Sequence, residues 1–145
     1  MMLRLSALCA AMMLALLNST CISQAQTTQT SDDRAVRQAL ESWRAALNND
    51  NLEALLATLS DDAVIDSSAV SRKVNKKEYR EIMTYVMQGH YTGSFTIKEL
   101  KVTFPASAHA VAEGVLDRNG SSRNHRWQFE KRGGRWLIVG TEYLN

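Results

Sequence analysis

The feature that most constrains the fold is a change in hydrophobic period near Gly89. Before it, apolar residues recur at helical spacing, and one stripe is formed by Val36, Leu40, Trp43 and Leu47. After it, apolar and polar residues alternate, as in strands with one buried face. Helices followed by antiparallel strands predict an α+β domain in which the helices cover one face of a sheet.

Three helices are predicted in the first half of the chain. The first begins at Ser31 as its N-cap and ends at the polar break at residues 48–51. The second is short and rich in leucine, with Asn51 as its cap. The third begins with a capping-box pattern, because Asn75 is followed three residues later by Glu78.

Five strands are predicted, the first of them brief, at residues 63–66. The four long ones are expected at residues 95–104, 108–117, 124–131 and 135–143. The alternation in the first long strand changes phase, which indicates a β-bulge near residues 98–99. Asn119-Gly120 and Gly133-Gly134 are turn signals that join the later strands as hairpins. Pro105 is expected to end the first long strand.

The N-terminus has the pattern of a secretory signal. A basic start with Arg4 precedes an uncharged apolar run at residues 5–17, shorter than the roughly 20 residues that a membrane span needs. Small residues stand at the positions that signal peptidase recognises, Ser23 and Ala25. We therefore expect residues 1–25 to be a signal peptide, residues 26–31 a flexible tail, and residues 32–145 the folded domain.

The alternative is a lipoprotein signal in which Cys21 is acylated. The residues before it, Asn18 and Thr20, depart from the pattern of such signals, so cleavage after Ala25 is favoured. In that case the product is periplasmic or secreted and keeps no stable membrane anchor. Cys9 and Cys21 both leave with the signal, which excludes disulfides, thiol catalysis and thiolate metal sites in the domain. The net charge of +2 gives no reason to expect a nucleic-acid partner.

Two segments resemble the nuclear transport factor 2-like superfamily: ALESWRAALNNDNLEALLATLSDDAVI, residues 39–65, and WQFEKRGGRWLIVGTEY, residues 127–143. The resemblance implies a cone-shaped, SnoaL-like fold with three N-terminal helices packed on a curled antiparallel sheet. It also implies a deep pocket between the sheet and the helices, and commonly a homodimer through the outer face of the sheet. It implies no reaction, because the fold includes polyketide cyclases, ketosteroid isomerase and scytalone dehydratase as well as binders and scaffolds.

Comparison with ketosteroid isomerase argues against that mechanism. Without gaps, the isomerase's hydrogen-bonding tyrosine falls on Trp43 and its catalytic base on Ser67. Asp66 is one residue away, which in an extended segment predicts the opposite face. Asp61 and Asp62 lie at the turn into the strand and are expected to serve local structure.

The acid/base candidates are in the later strands. His125 falls near the isomerase's oxyanion-binding acid, and Tyr143 shares a strand phase that should face inward. Glu113 is a further candidate if its face of the sheet is concave. His125 with Glu113 or Tyr143 is thus the enzymatic hypothesis, and the Glu113 version requires both side chains on one sheet face.

The expected ligand-binding residues are Trp43, Ser67, Tyr79, Met83, Trp127, Phe129, Val139 and Thr141. No metal site is expected, because His90, His109 and His125 are isolated and no paired ligand spacing is present. No cofactor is expected either. Basic residues along the two hairpins are expected to be solvated, with attraction of an anionic ligand to the pocket mouth as the alternative.

The sequence therefore predicts an exported domain with an apolar pocket that binds a small hydrophobic molecule in an accessory, non-catalytic role. The first alternative is a SnoaL-like isomerase, cyclase or dehydratase that uses the acid/base residues named above. The second is a protein-interaction domain whose pocket is incidental.

Overall fold

The computed structural model describes residues 17–90 and 93–144, with side chains at residues 29–89 and 93–144. Residues 1–16 of the predicted signal and the side chain of His90 lie outside this part of the chain. The chain divides into two units, one up to Arg34 and one from Ala35 to Asn145. Within the described residues, no helix is both long enough and apolar enough to cross a membrane.

The described residues form three α-helices: α1 Leu17–Asn48, α2 Leu52–Ala57 and α3 Lys76–Tyr85, the last followed by a π-type segment Val86–His90. The helix α1 runs through Ser31, so residues 26–31 are helical where a tail was predicted. No Gly or Pro stands between Leu17 and Ser31 to end the helix. At α3, the capping box of Asn75 and Glu78 is confirmed.

In the part of the chain that the structure describes, six strands form one sheet: β1 Leu59–Ser67, β2 Arg72–Asn75, β3 Phe95–Ala106, β4 His109–Arg118, β5 Ser121–Arg132 and β6 Arg135–Leu144. Their order is β2-β1-β6-β5-β4-β3. The β1 and β6 strands are parallel, so the predicted all-antiparallel sheet is corrected to a mixed one. The cause is the chain path, since the meander β3 to β6 returns beside β1 in the same direction. The α+β class is confirmed.

The predicted irregularity in β3 is confirmed. Its pairing register with β4 shifts between Lys98 and Lys101, and Glu99 has a positive φ of 54°. Gly114 on β4 allows this close approach, because a Cβ there would lie 2.9 Å from the carbonyl oxygen of Lys98. Pro105 does not end the strand, which continues to Ala106, because β3 is an edge strand whose outer N–H groups need no partner.

The core lies between α1 and one face of the sheet. The predicted α1 stripe is confirmed, since Val36, Leu40, Trp43 and Leu47 are all buried. On strands β4 to β6, the buried apolar residues are Ala110, Ala112 and Leu116 of β4, Trp127 and Phe129 of β5, and Trp136 and Ile138 of β6. This alternation defines the inner face of the sheet, and the charged residues between these positions occupy the outer face.

Candidate functional site

A cavity of about 290 Å³ lies between the helices and the inner face of the sheet. We call it the inner cavity. Its aromatic and apolar walls include Trp43, Leu47, Ile65, Tyr79, Met83, Val86, Phe95, Leu116 and Tyr143. Its polar groups come from Asp66, Ser67, Ser68, Arg118, His125 and Thr141. A mostly apolar cavity with a few convergent polar groups is the usual form of a small-molecule site.

One wall is fixed by hydrogen bonds between the end of α1 and the start of β3. Asn48 Nδ2 donates to the carbonyl oxygen of Phe95 at 3.0 Å, and Asn48 Oδ1 accepts from its backbone N–H at 2.7 Å. Arg44 adds a third bond to the same carbonyl at 3.2 Å. The backbone of Phe95, whose side chain lines the inner cavity, is therefore anchored to α1 by three hydrogen bonds.

His125 is the most buried polar group of the inner cavity, with 2% of its surface exposed. Its ring lies 4.5 Å from that of Tyr143, centroid to centroid, and 4.4 Å from that of Trp127. Trp43 is stacked on it at 6.4 Å. Burial lowers the pKa of His125 from 6.5 to about 4, against a smaller raising effect from the carboxylate of Asp66. The imidazole is therefore neutral at neutral pH.

Both ring nitrogens of His125 are buried and find no hydrogen-bond partner among the described residues. The same holds for Nε1 of Trp127, the indole beside it. A neutral imidazole carries one donor and one acceptor, and each buried group left unpaired costs about 1–3 kcal/mol. His125 is thus poised to bond with a polar group that enters the inner cavity, whether water or ligand.

Asp66 contributes a carboxylate to the inner cavity, contrary to the prediction that it faces away. Its Oδ2 accepts a hydrogen bond from the backbone N–H of Tyr143 at 3.1 Å. Its own N–H donates to Oγ1 of Thr141, also at 3.1 Å. These bonds draw the side chain over the neighbouring parallel strand β6, an outcome that alternation along β1 alone does not predict.

Glu113 does not join His125, and the hypothesis that pairs them is wrong. Glu113 is opposite Arg126 in the β4–β5 ladder, whereas His125 is opposite Gly114. On the outer face, Arg126 Nε donates to Glu113 Oε1 at 2.8 Å, and Arg126 also bonds to Glu142 at 3.2 Å. The two candidates therefore point to opposite faces of the sheet, because adjacent positions on a strand alternate.

Three predicted ligand-binding residues do not line the inner cavity. Trp127 and Phe129 are buried at 0% and 1% exposure and belong to the core. Val139 is half-buried and stands where the β5–β6 register shifts, at Gln128 and Phe129. The extra residue of this bulge breaks the alternation from which Val139 was placed inward.

The other predicted residues do come together around the inner cavity: Trp43, Ser67, Tyr79, Met83, Thr141, His125 and Tyr143. Their binding of a ligand stays a prediction. Asp66 and Arg118 are the charged lining residues that sequence reasoning did not assign to the site. The sequence does contain a signal for Arg118, because it stands at an even-numbered position of β4, as do the buried residues Ala112 and Leu116.

The two other aspartates of β1, Asp61 and Asp62, lie outside the inner cavity. Asp61 pairs with Lys76 at 2.9 Å, and Asp62 pairs with Arg132 at 2.7 Å. Hydrogen bonds from Arg132 lower the pKa of Asp62 to about 2, so it stays ionised. Across the part of the chain that the structure describes, no group of three or more His, Cys, Asp or Glu side chains is placed to hold a metal ion.

No protein-family model matches this sequence, and no curated protein sequence matches it. Solved structures do match its fold. A candidate scytalone dehydratase from Novosphingobium aromaticivorans superposes with a TM-score of 0.70 at 15% identity, covering 81% of this chain and 86% of the other.

Two further structures match over similar lengths. A nuclear transport factor 2-like protein of unknown function from Pseudomonas putida gives a TM-score of 0.68 at 20% identity, covering 79% and 86% of the two chains. A candidate ketosteroid isomerase from Shewanella frigidimarina gives 0.65 at 19% identity, covering 76% and 94%. These identities establish the fold and leave the activity open. The chain has the nuclear transport factor 2-like, SnoaL-like fold that residues 39–65 and 127–143 predicted.

Proposed function

We propose that this domain binds a small, largely apolar molecule in the inner cavity, and that a polar group of this molecule hydrogen-bonds to His125. The observation that carries the proposal is the pair of buried, unpartnered nitrogens on the His125 ring. A hydroxyl or carbonyl group at that position recovers the free energy that the unpaired imidazole loses. An accessory role without catalysis is the simplest function that needs only this arrangement.

The aromatic walls favour a flat or cyclic ligand body. Trp43 stacks on His125 and packs edge-on against Trp127, with ring centroids 5.7 Å apart. Tyr143 meets His125 edge-on on the β6 side. Offset and edge-to-face contacts of this kind hold ring systems with little loss of side-chain entropy.

The test is native mass spectrometry of the mature protein purified gently from its native source. An additional mass that departs at moderate collision energy, and is lost in the His125→Ala variant, supports the proposal. As a control, Trp136→Phe changes a buried aromatic that does not line the inner cavity and should retain the additional mass. Retention of the mass by His125→Ala contradicts the assigned role of His125.

A second candidate is acid/base catalysis, and it is favoured by the presence of Asp66 in the same cavity. A neutral His125 can accept a proton from a substrate, and the Asp66 carboxylate favours the imidazolium that results. Tyr143 can hydrogen-bond a substrate oxygen from the other side of the imidazole. This candidate replaces the pairing of His125 with Glu113.

Binding and catalysis are separated by His125→Gln, which keeps a hydrogen-bonding side chain but cannot exchange a proton near neutral pH. The ligand released from the native protein is incubated with each form, and its mass and chromatographic position are followed. A product formed by the wild type and not by the variant, at comparable affinity, supports catalysis. A ligand recovered unchanged from both forms supports the accessory role.

Export is part of the proposal, and it is supported by the signal pattern at residues 1–25. N-terminal sequencing of the exported protein tests it, with Gln26 expected as the first residue. A chain that begins with a lipid-modified Cys21 identifies the lipoprotein alternative instead. An unprocessed chain recovered from the cytoplasm contradicts export.

The homodimer through the outer face of the sheet stays a prediction. This face carries the Glu113–Arg126–Glu142 ion pairs, with Lys73 3.8 Å from Glu142, and a partly exposed Val64. Native mass spectrometry reports the subunit number in the same spectrum as the ligand. A charged network at this position makes dimerisation sensitive to salt if the face is the interface.

A further inference from the structure

A second cavity, of about 520 Å³, adjoins the inner cavity at the open end of the sheet. We call it the mouth cavity. The residues shared by both cavities are Ser68, Phe95, Leu116, Arg118 and Tyr143. Asn119, Ser121 and Arg123 line the mouth cavity alone. Because the two spaces share these walls, one ligand can extend from the inner cavity into the mouth cavity.

Two arginines line the mouth cavity. Each lies on the same face of its strand as the buried residues of that strand. Arg118 continues the inward row of β4 two residues beyond Leu116. Arg123 is paired with Leu116 across the β4–β5 ladder and precedes His125 in the inward row of β5. Arg118 is half-buried and Arg123 is exposed, so the inward rows of both strands end in cationic side chains at the cavity opening.

Among the described residues that line the mouth cavity, none is an aspartate or glutamate. Asp117 is next to Arg118 in the chain, but its position in β4 is on the opposite face of the strand, where it makes hydrogen bonds of its own. Its side chain bonds to the backbone N–H of Gly120 at 3.1 Å and to the hydroxyl of Ser122 at 2.6 Å. The described lining of the mouth cavity thus carries two guanidinium groups and no carboxylate side chain, and it adjoins the mostly apolar inner cavity.

Arg123 is in contact with an aromatic ring, and Arg118 directly precedes a turn. The guanidinium of Arg123 lies over the ring of Tyr143, 5.6 Å from its centroid, a cation–π contact that orients it at the cavity rim. Arg118 adjoins the Asn119-Gly120 turn, where Asn119 Oδ1 accepts from the backbone N–H of Ser94 at 3.1 Å. A guanidinium has five N–H donors, so contacts within the protein do not exhaust its capacity to bind an oxyanion.

We propose that the mouth cavity binds the anionic group of an amphipathic organic anion. Arg118 and Arg123 hold a carboxylate or sulfonate, while the ring system of the ligand occupies the inner cavity against Trp43 and His125. This inference rests on the proposed function, because it assigns the ligand class of the same site. A ligand anchored in this way has its charged end toward solvent and its apolar end enclosed.

The test uses two fluorescent probes that differ by one charged group. 1-Anilinonaphthalene-8-sulfonate is an aromatic anion, and N-phenyl-1-naphthylamine is the same ring system without the sulfonate. Dissociation constants of both probes are measured for the mature wild type, for Arg118→Gln/Arg123→Gln and for Arg123→Gln alone. Arg135→Gln is the matched control, because Arg135 is exposed and lines neither cavity.

We expect the double variant to bind the sulfonate about tenfold more weakly, the effect of losing one to two charge-assisted contacts. Because Arg123 is exposed, the single variant Arg123→Gln should fold normally. Its affinity for the sulfonate should fall about threefold. Affinity for the neutral probe should change by less than about twofold in both variants. Raising the salt from about 20 mM to about 500 mM should weaken sulfonate binding to the wild type and not to the double variant.

Three results overturn the inference in distinguishable ways. Equal affinities of the double variant and the wild type for the sulfonate remove the anion site and leave the proposed function intact, provided that the neutral probe still binds. Binding of neither probe to the wild type contradicts the proposed function and, with it, the anion site. A loss of both probes in the double variant, with unchanged circular dichroism, assigns the arginines to the cavity wall and overturns their charge-specific role.

Discussion

The carboxylate of Asp66 accepts the backbone N–H of Tyr143 at 3.1 Å, joining β1 to β6 beside the inner cavity. The bond lies beyond Ile65 and Thr141, where the paired part of the two parallel strands ends. It brings a negative charge near His125, where it opposes the effect of burial on the pKa of the imidazole. One residue thus has both a structural role and an electrostatic role, and substitutions can separate the two.

Asp66→Asn should keep the structural role and lose the electrostatic one. The amide oxygen can still accept from Tyr143, so stability should fall little, while the pKa of His125 should drop below its wild-type value. Asp66→Ala removes the acceptor and leaves the half-buried N–H unpaired, at a cost of about 1–3 kcal/mol. Urea unfolding and NMR titration of the imidazole measure the two effects. Equal stability of the Asn and Ala variants would falsify the structural role.

The burial of His125 makes folding stability depend on pH. Its pKa is about 4 in the folded protein against 6.5 ordinarily, so between these values the unfolded chain binds a proton that the native chain does not. Stability should therefore decline as the pH falls from about 6.5 to about 4, by roughly 3 kcal/mol. His125→Gln lacks this titration and serves as the reference. Parallel curves for the two proteins in urea unfolding at several pH values would show that His125 is not desolvated.

Trp43 and Trp136 offer a matched pair of buried indoles, since each is 5% exposed. Trp43 lines the inner cavity, whereas Trp136 packs edge-on against Phe104 with ring centroids 5.8 Å apart. Phenylalanine at either position should cost about 1–2 kcal/mol of stability. Only Trp43→Phe should weaken binding of N-phenyl-1-naphthylamine, by about fivefold. Similar losses of affinity in both variants would indicate a general effect of loosened packing.

Glu113→Gln tests the assignment of this residue to the outer face. The substitution removes the ion pair between Glu113 and Arg126. The two side chains are 44% and 35% exposed, respectively, so the free energy of unfolding should change by less than about 1 kcal/mol. Probe affinity, and any turnover found for the natural ligand, should stay at wild-type levels. His125→Gln is the comparison that does alter the site. A large loss of activity in Glu113→Gln would return this residue to the catalytic hypothesis.

Local chemistry explains what was predictable. The α1 stripe, the capping box of Asn75 and Glu78, and the Asn119-Gly120 turn depend on residues only a few positions apart. The turn has φ values of 51° and 86° at these two residues, as the Asn-Gly pair predicts. The β3 bulge could be predicted because the alternation of apolar and polar residues shifts by one position near residues 98–99. Such a shift can be read from neighbouring residues alone.

The faces of isolated side chains were not predictable in this way. Glu113 occurs in a strand with apolar residues on both phases, so alternation did not reveal which face is buried. Only the pairing of β4 with β5, and the placement of the helices on one side, put Glu113 outside and Gly114 opposite His125. Val139 was misplaced for a related reason, since a bulge is defined by two strands together.

The sequence by itself determined the fold class, most of its elements and the residues that surround the cavity on α1 and α3, because hydrophobic period and capping are local properties. Tertiary structure alone decided that Asp66 enters the cavity and that Arg118 and Arg123 meet at its mouth. Those outcomes depend on the parallel pairing of β1 with β6 and on the register of β4 against β5. Register is set by packing between residues distant in the chain, and one position of slip reverses every face.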